Sequence, residues 1–201
     1  MSSIVIVDYG LGNLRSVSKA VEKAGGIVSV THNLDEIKAA DGIILPGVGA
    51  FHEGMNQLAD LASTLIEAEG HVPILGICLG MQMMMEYSEE HGLHEGLGLI
   101  PGTAKRFPES PGYKIPHMGW NQIAVTHPED PLFEGIPDNS YVYFVHSYWA
   151  DTPERYCVTA TEYICPFASA IRNGTALGVQ FHPEKSGETG LSILKNFLDM
   201  V

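Results

Sequence analysis

A cysteine set between glycines, a histidine two residues before a glutamate, and a glycine-rich turn are the parts of this chain best suited to chemistry. Cys78 lies in Ile74-Leu75-Gly76-Ile77-Cys78-Leu79-Gly80-Met81-Gln82, with a glycine two residues away on each side. An apolar strand leads in, and good helix formers over residues 83–90 lead out. This is the spacing of a nucleophile elbow, where a tight strand-to-helix turn needs small neighbours and holds the nucleophile clear of the backbone. The N-terminus of the following helix points at the sulfur, and its partial positive charge favours thiolate over thiol. A buried structural cysteine at a glycine-rich strand end fits the local sequence equally well.

Gly178-Val179-Gln180-Phe181-His182-Pro183-Glu184 reads as a strand ending in His-Pro-Glu. Residues two apart on an extended chain point the same way, so the side chains of His182 and Glu184 share one face. Pro183 restrains the backbone between them and favours an extended His182. A carboxylate beside an imidazole fixes its tautomer and supports the imidazolium formed when it takes a thiol proton. A strand-end histidine followed by a surface glutamate is the structural alternative. Leu45-Pro46-Gly47-Val48-Gly49 also follows an apolar strand directly. Its glycines let main-chain N–H groups turn toward a ligand, as an oxyanion site requires, although the same sequence serves as a plain turn.

The elements that must carry these residues alternate in the first half of the chain. Residues 4–8 form a continuous apolar run, as expected of a parallel strand covered on both faces. Leu14, Val17, Ala20, Val21 and Ala24 recur at helical spacing before the Gly25-Gly26 stop. Residues 27–31, 42–45 and 72–77 repeat the strand signal, with a helical stretch near 58–69. Such alternation predicts a twisted parallel sheet flanked by helices, with ligands at the carboxyl ends of its strands. The second half reads as an added antiparallel section, with strands at 141–145, 157–161, 167–172 and 176–181. Asn173-Gly174 predicts the hairpin between the last two. Leu191, Leu194, Phe197 and Leu198 predict a closing amphipathic helix. No composition shift divides the halves, so residues 1–201 read as a single domain.

Composition sets outer bounds. With 201 residues, 45 % apolar and 17 % charged, the chain can bury a substantial core. Its net charge of −13 with only 11 Lys plus Arg argues against a nucleic-acid partner. Cys78, Cys157 and Cys165 have no paired spacing, which fits a reducing compartment and no structural zinc site. The N-terminus reads as a first strand rather than a signal peptide, and the apolar stretch at 72–85 is too short to span a bilayer. The expectation is a cytoplasmic, soluble protein.

In this order, segments 46–49, 76–82 and 178–184 resemble the class I glutamine amidotransferases, and the similarity runs from Ile4 to the C-terminal helix. The resemblance implies a flavodoxin-like fold and glutamine hydrolysis by Cys78, His182 and Glu184. The oxyanion would be held by the N–H groups of Leu79 and Gly49, and Gly47, Gln82, Ser147 and Tyr148 would bind the glutamine. Four segments carry a finer likeness: Asp8-Tyr9-Gly10-Leu11-Gly12-Asn13; Pro116-His117-Met118-Gly119-Trp120-Asn121; Tyr143-Phe144-Val145-His146-Ser147-Tyr148; and Lys185-Ser186. They point to glutaminase subunits that pass ammonia to a separate synthase subunit of histidine biosynthesis. On that likeness Asn13, Trp120, Asn121, Tyr143 and Lys185 lie at the docked surface, with core packing as the alternative for Trp120 and Tyr143.

No P-loop or basic phosphate pocket is present, so the acceptor of the ammonia is expected to bind elsewhere. Gly10-Leu11-Gly12 lacks the third glycine of a dinucleotide site, where Arg15 stands, and no acidic residue closes the second strand. His91 and His94 lie in a glutamate-rich stretch without further ligands, so neither metal nor cofactor is expected. Rival readings are a glutaminase for anthranilate or pyridoxal phosphate synthesis, a non-catalytic module of the same fold, and a cysteine hydrolase of other amides or esters.

Overall fold

In the computed structural model, residues 3–201 are described. The chain runs through β1 (Ser3–Val7), α1 (Leu14–Lys23), β2 (Ile27–Thr31), α2 (Leu34–Lys38), β3 (Gly42–Leu45), α3 (Phe51–Ala68), β4 (Ile74–Ile77) and α4 (Leu79–Met83). It continues with β5 (Met85–Ser88), β6 (His94–Glu95), β7 (Ile100–Arg106), β8 (His117–Val125), β9 (Ser140–His146), β10 (Tyr148–Asp151), β11 (Cys157–Glu162), β12 (Pro166–Asn173), β13 (Ala176–Val179) and α5 (Gly187–Asp199).

The strand order β2-β1-β3-β4-β13 is parallel throughout, so the last strand in sequence sits beside β4. This 2-1-3-4-5 order is that of flavodoxin-like sheets, as the family resemblance implies. β12 turns the sheet antiparallel beyond β13 and leads on to β10, β7, β5 and β6, while β11, β8 and β9 branch from β12. No helix among the described residues is long and apolar enough to cross a membrane.

The central strands are apolar on both faces because each face is covered. Ile4, Ile6, Ile44 and Leu75 pack with Val17 and Val21 of α1 and with Ile193, Leu194 and Phe197 of α5. Val5, Val7, Ile43 and Leu45 pack with Ile37 of α2 and with Phe51, Leu58 and Leu65 of α3. Alternation along each strand sends successive residues to opposite layers. Truncating one such Leu or Ile to Ala costs about 2–5 kcal/mol, which is why the strand ends above them hold their places.

Three local expectations change. The helix expected over 83–90 is instead α4, one turn long, followed by β5, whose Met85 pairs with Ile100. The β12–β13 hairpin has Asn173 opposite Ala176, so its two-residue loop is Gly174-Thr175. β13 ends at Val179, and Pro183–Lys185 is a 3-10 turn rather than extended chain.

Candidate active site

The elbow is built from backbone strain and missing side chains. Cys78 stands between β4 and α4 at φ 55°, ψ −108°, a conformation that a non-glycine residue adopts only when its surroundings enforce it. Its N–H donates to the Val179 carbonyl at 2.8 Å, extending the β4–β13 pairing to the cysteine itself. A Cβ on Gly76 would stand 2.7 Å from the Met81 amide nitrogen, and one on Gly80 would overlap the Leu45 carbonyl. Both flanking glycines are therefore steric requirements of the turn.

His182 meets Cys78 from the neighbouring strand end. Its Nδ1 lies 2.8 Å from Glu184 Oε1, and the two side chains are 2 % and 1 % exposed. The contact forms because the 3-10 turn folds Glu184 back on the ring, not because an extended pleat aligns the two. His182 Nε2 is buried and, with Nδ1 on Glu184, is the ring nitrogen left to interact with the Cys78 sulfur. Burial works against a charge on this ring. Hydrogen bonding and attraction from Cys78 and Glu184 outweigh it and raise the His182 pKa to about 9. The ring therefore carries its proton near neutrality, beside the Cys78 sulfur.

A cavity of about 410 Å³ opens over the sulfur. Cys78, Leu79, Gly49, Gln82, Ser147, Tyr148 and His182 all line it. Gly47 does not. A Cβ there would meet the Tyr9 hydroxyl at 2.7 Å and the Gly80 amide at 2.8 Å, so this glycine lets the 46–49 loop close on the elbow from behind. Gly49 has φ +106° with open space around it, and the adjoining Val48 is exposed. Gln82 is held by its Nε2, which donates to the Tyr148 carbonyl at 3.1 Å and to Gln180 Oε1 at 3.0 Å.

Away from the cavity mouth, Trp120 is 56 % exposed, its ring 6.0 Å from that of Tyr143, and Lys185 Nζ stands 5.9 Å over the Tyr143 ring. Trp120 and Lys185 are exposed and Tyr143 is half-buried between them, so the three form one surface group. Asn121 leaves this group. The pleat of β8 turns it to the opposite face, where its Nδ2 donates to the Glu162 carbonyl at 2.8 Å. Asn13 is the N-cap of α1 and makes no side-chain capping bond.

The family profile described as Glutamine amidotransferase class-I matches residues 5–201. The chain belongs to the class I glutamine amidotransferases. It is 54 % identical over 203 residues to the imidazole glycerol phosphate synthase subunit HisH of Methanosarcina mazei, with the whole of both chains covered. The subunit of the same name from Archaeoglobus fulgidus is 46 % identical over 198 residues, covering 98 % of each chain. That of Listeria monocytogenes is 48 % identical over 200 residues, covering 98 % of this chain and 95 % of its own. The structure of PurLQS from Thermotoga maritima shares the fold at a TM-score of 0.76 and 21 % identity, covering 100 % of this chain and 99 % of that one.

Several residues of this amidotransferase site escape a reading of the sequence alone. Gln180 Nε2 lies 3.6 Å from Cys78 Sγ, and the only sequence signal was a glutamine inside an apolar strand. Tyr9 donates its hydroxyl to the Pro46 carbonyl at 2.7 Å and ties β1 to the glycine loop. Glu90 lines the cavity and accepts from the Phe51 N–H at 2.6 Å, capping α3 from far along the chain.

The cysteines should separate by reactivity. Burial pushes the thiols of Cys157 and Cys165 up, whereas Cys78 faces the cavity beside a charged imidazole. Limiting iodoacetamide should therefore alkylate Cys78 well before the other two, as peptide mapping would read. Equal labelling of all three would contradict the nucleophile assignment.

Proposed function

We propose that this chain is the glutaminase subunit of an imidazole glycerol phosphate synthase. It hydrolyses L-glutamine to glutamate and ammonia and passes the ammonia to a cyclase subunit, which makes imidazole glycerol phosphate and AICAR in histidine biosynthesis. The reading rests on one conjunction: likeness over the whole chain to subunits of that name, together with Cys78 and His182 at one cavity and Glu184 held against the His182 ring. On this reading residues 1–201 act as one domain in a cytoplasmic heterodimer, and the lyase step belongs to the partner. Trp120, Tyr143 and Lys185 would face that partner together with Asn13, whereas Asn121, turned to the other face of β8, would not.

The chemistry follows from a charged imidazole set beside the nucleophile. The Cys78 thiolate attacks the side-chain carboxamide carbon of glutamine, and the oxyanion that forms accepts from the N–H groups of Leu79 and Gly49. The His182 imidazolium gives its proton to the leaving nitrogen, the C–N bond breaks, and ammonia departs from a γ-glutamyl thioester. Neutral His182 then takes a proton from water, whose oxygen attacks the thioester carbon. Glutamate leaves, and the thiolate–imidazolium pair is restored. Glu184 supports the imidazolium and fixes the ring. Gln82, Ser147 and Tyr148 hold the substrate, while Gly47 lets the loop and elbow close together.

The acid form of His182 is present below its pKa of about 9 and is lost above it. Glutamine kcat/KM should therefore fall as pH rises through that value. Glu184→Gln removes one support of the charge. It should move this limb to lower pH and slow turnover by roughly 10²- to 10⁴-fold. A limb that stays in place in the variant would show that Glu184 does not act on His182. The reading as a whole is tested by glutamine hydrolysis with and without the synthase subunit, using asparagine and small esters as competing substrates. Hydrolysis of esters in preference to glutamine would replace it.

A further inference from the structure

Beside the cavity lies a set of buried polar groups that the mechanism above does not use. His146 ends β9 and lines the cavity, and His117 begins β8 directly opposite it in the strand register. They are 5 % and 3 % exposed. His146 Nδ1 lies 2.7 Å from the Tyr148 carbonyl oxygen. His146 Nε2 lies 3.0 Å from His117 Nδ1, and His117 Nε2 lies 3.3 Å from Asn121 Nδ2.

These partners fix where every hydrogen sits. A carbonyl only accepts, so His146 carries a hydrogen on Nδ1. At the other end the Asn121 amide is oriented by the backbone: its Nδ2 donates to the Glu162 carbonyl at 2.8 Å, and its Oδ1 accepts from the Gln122 N–H at 2.8 Å. The second hydrogen of Nδ2 is then aimed at His117 Nε2, which must be bare. Neutral His117 carries its hydrogen on Nδ1 and donates it to a bare His146 Nε2. All the bonds point one way, from Asn121 to Tyr148. An added proton on either ring would bring two donors face to face. Desolvation acts in the same direction, holding His117 at about 4 and His146 at about 3, with nearby His182 a further influence on His146.

The end of this chain of bonds is the glutamine site. The Tyr148 carbonyl also accepts from Gln82 Nε2 at 3.1 Å, and Ser147 and Tyr148 line the cavity. We propose that His117 and His146 are positioning residues, a one-way relay of two neutral imidazoles that starts at Asn121 and fixes Ser147, Tyr148 and Gln82 around the bound glutamine. The relay also leaves His182 as the one charged imidazole of the cavity wall among the described residues. This inference rests on the glutaminase reading and adds to it the pair that shapes substrate binding.

His117→Phe removes both hydrogen bonds of that ring and keeps its stack on Tyr163, at 4.0 Å between centroids, and on Phe144, at 4.8 Å. His117→Asn retains a donor near the position of Nδ1. In the complex with the synthase subunit, His117→Phe should raise the glutamine KM about tenfold with a smaller change in kcat, and His117→Asn should restore most of the affinity. Imidazole 15N spectra of the unaltered protein at neutral pH should show both rings hydrogen-bearing at Nδ1 and bare at Nε2. An Nε2–H form of either ring would overturn the relay, as would an unchanged KM in folded His117→Phe. A large fall in kcat and in melting temperature alongside the rise in KM, without rescue by Asn, would mark a structural role and overturn it too. Should the Phe variant fail to fold, the spectra decide. If the unaltered complex does not hydrolyse glutamine, the glutaminase reading fails, whatever the tautomers are.

Discussion

Replacing Cys78 by alanine should abolish glutamine hydrolysis, with kcat falling by more than about 10⁴-fold, because the members of a nucleophile–base set act as a unit. Synthesis from added ammonium by the same complex should survive, since on the proposed reading the partner carries out that step. The variant is sterically mild. Alanine loses only the sulfur, and the strained backbone at φ 55° remains locked by the N–H bond to Val179 and by Gly76 and Gly80. Loss of both activities together, in a complex that still assembles, would refute the division of labour between the subunits.

The second large effect is activation by the partner. The isolated chain should hydrolyse glutamine slowly, and kcat should rise by about 10²- to 10³-fold or more when the synthase subunit and its acceptor ligand are both bound. That factor is the typical effect of one oxyanion donor, and Gly49 is placed to supply it by a change of peptide orientation. It lies at the cavity mouth with φ +106°, has open space around it, and follows an exposed Val48. A second link joins the exposed aromatic group to the catalytic turn. The Tyr143 carbonyl accepts from the His182 N–H at 2.9 Å, and the Tyr143 N–H donates to Ser186 Oγ at 2.9 Å. Docking on Trp120, Tyr143 and Lys185 would thus press on the strand to which His182 is hydrogen-bonded, shifting the population toward the competent state. Trp120→Ala or Lys185→Ala should weaken activation more than basal hydrolysis, as steady-state assays with titrated partner would show. Full activity of the chain alone would reject the switch and leave the catalytic residues untouched.

The parallel half of the fold was legible because its strands are buried on both faces and its helices are amphipathic, so each element announces itself locally. Gly25-Gly26 ends α1 as expected, and the strand at 42–45 falls where the sequence puts it. The errors share a physical cause. Residues 83–90 carry helix-forming side chains, yet Met83, Met84 and Met85 are wholly buried and β5 is drawn into pairing with β7. Tertiary pairing overrides propensity there. The start of α3 was hidden because Glu90, 39 residues away, supplies a cap to Phe51. β8 was missed because Met118 and Trp120 point to solvent and blur its alternation.

The candidate site divides along the same line. Cys78 with its glycines was readable because the elbow is a local device. The pairing of His182 with Glu184 was readable as a pair, but for the wrong backbone reason, since a 3-10 turn and not a pleat brings them together. Gln180, Tyr9 and the His117–His146 relay were not readable as site residues. Each acts on a group brought near by the fold alone, such as Cys78 from 102 residues away.

The most direct test of Cys78 as the nucleophile acting on glutamine is labelling by 6-diazo-5-oxo-L-norleucine, a glutamine analogue with an electrophile at the carboxamide position. Intact-mass measurement, peptide mapping and glutaminase assay would be followed on one sample of the assembled complex. The expected result is one label per chain, on Cys78, growing in step with the loss of glutamine hydrolysis and blocked by excess glutamine. Label on another residue, or full glutamine hydrolysis by chains already labelled at Cys78, would contradict it.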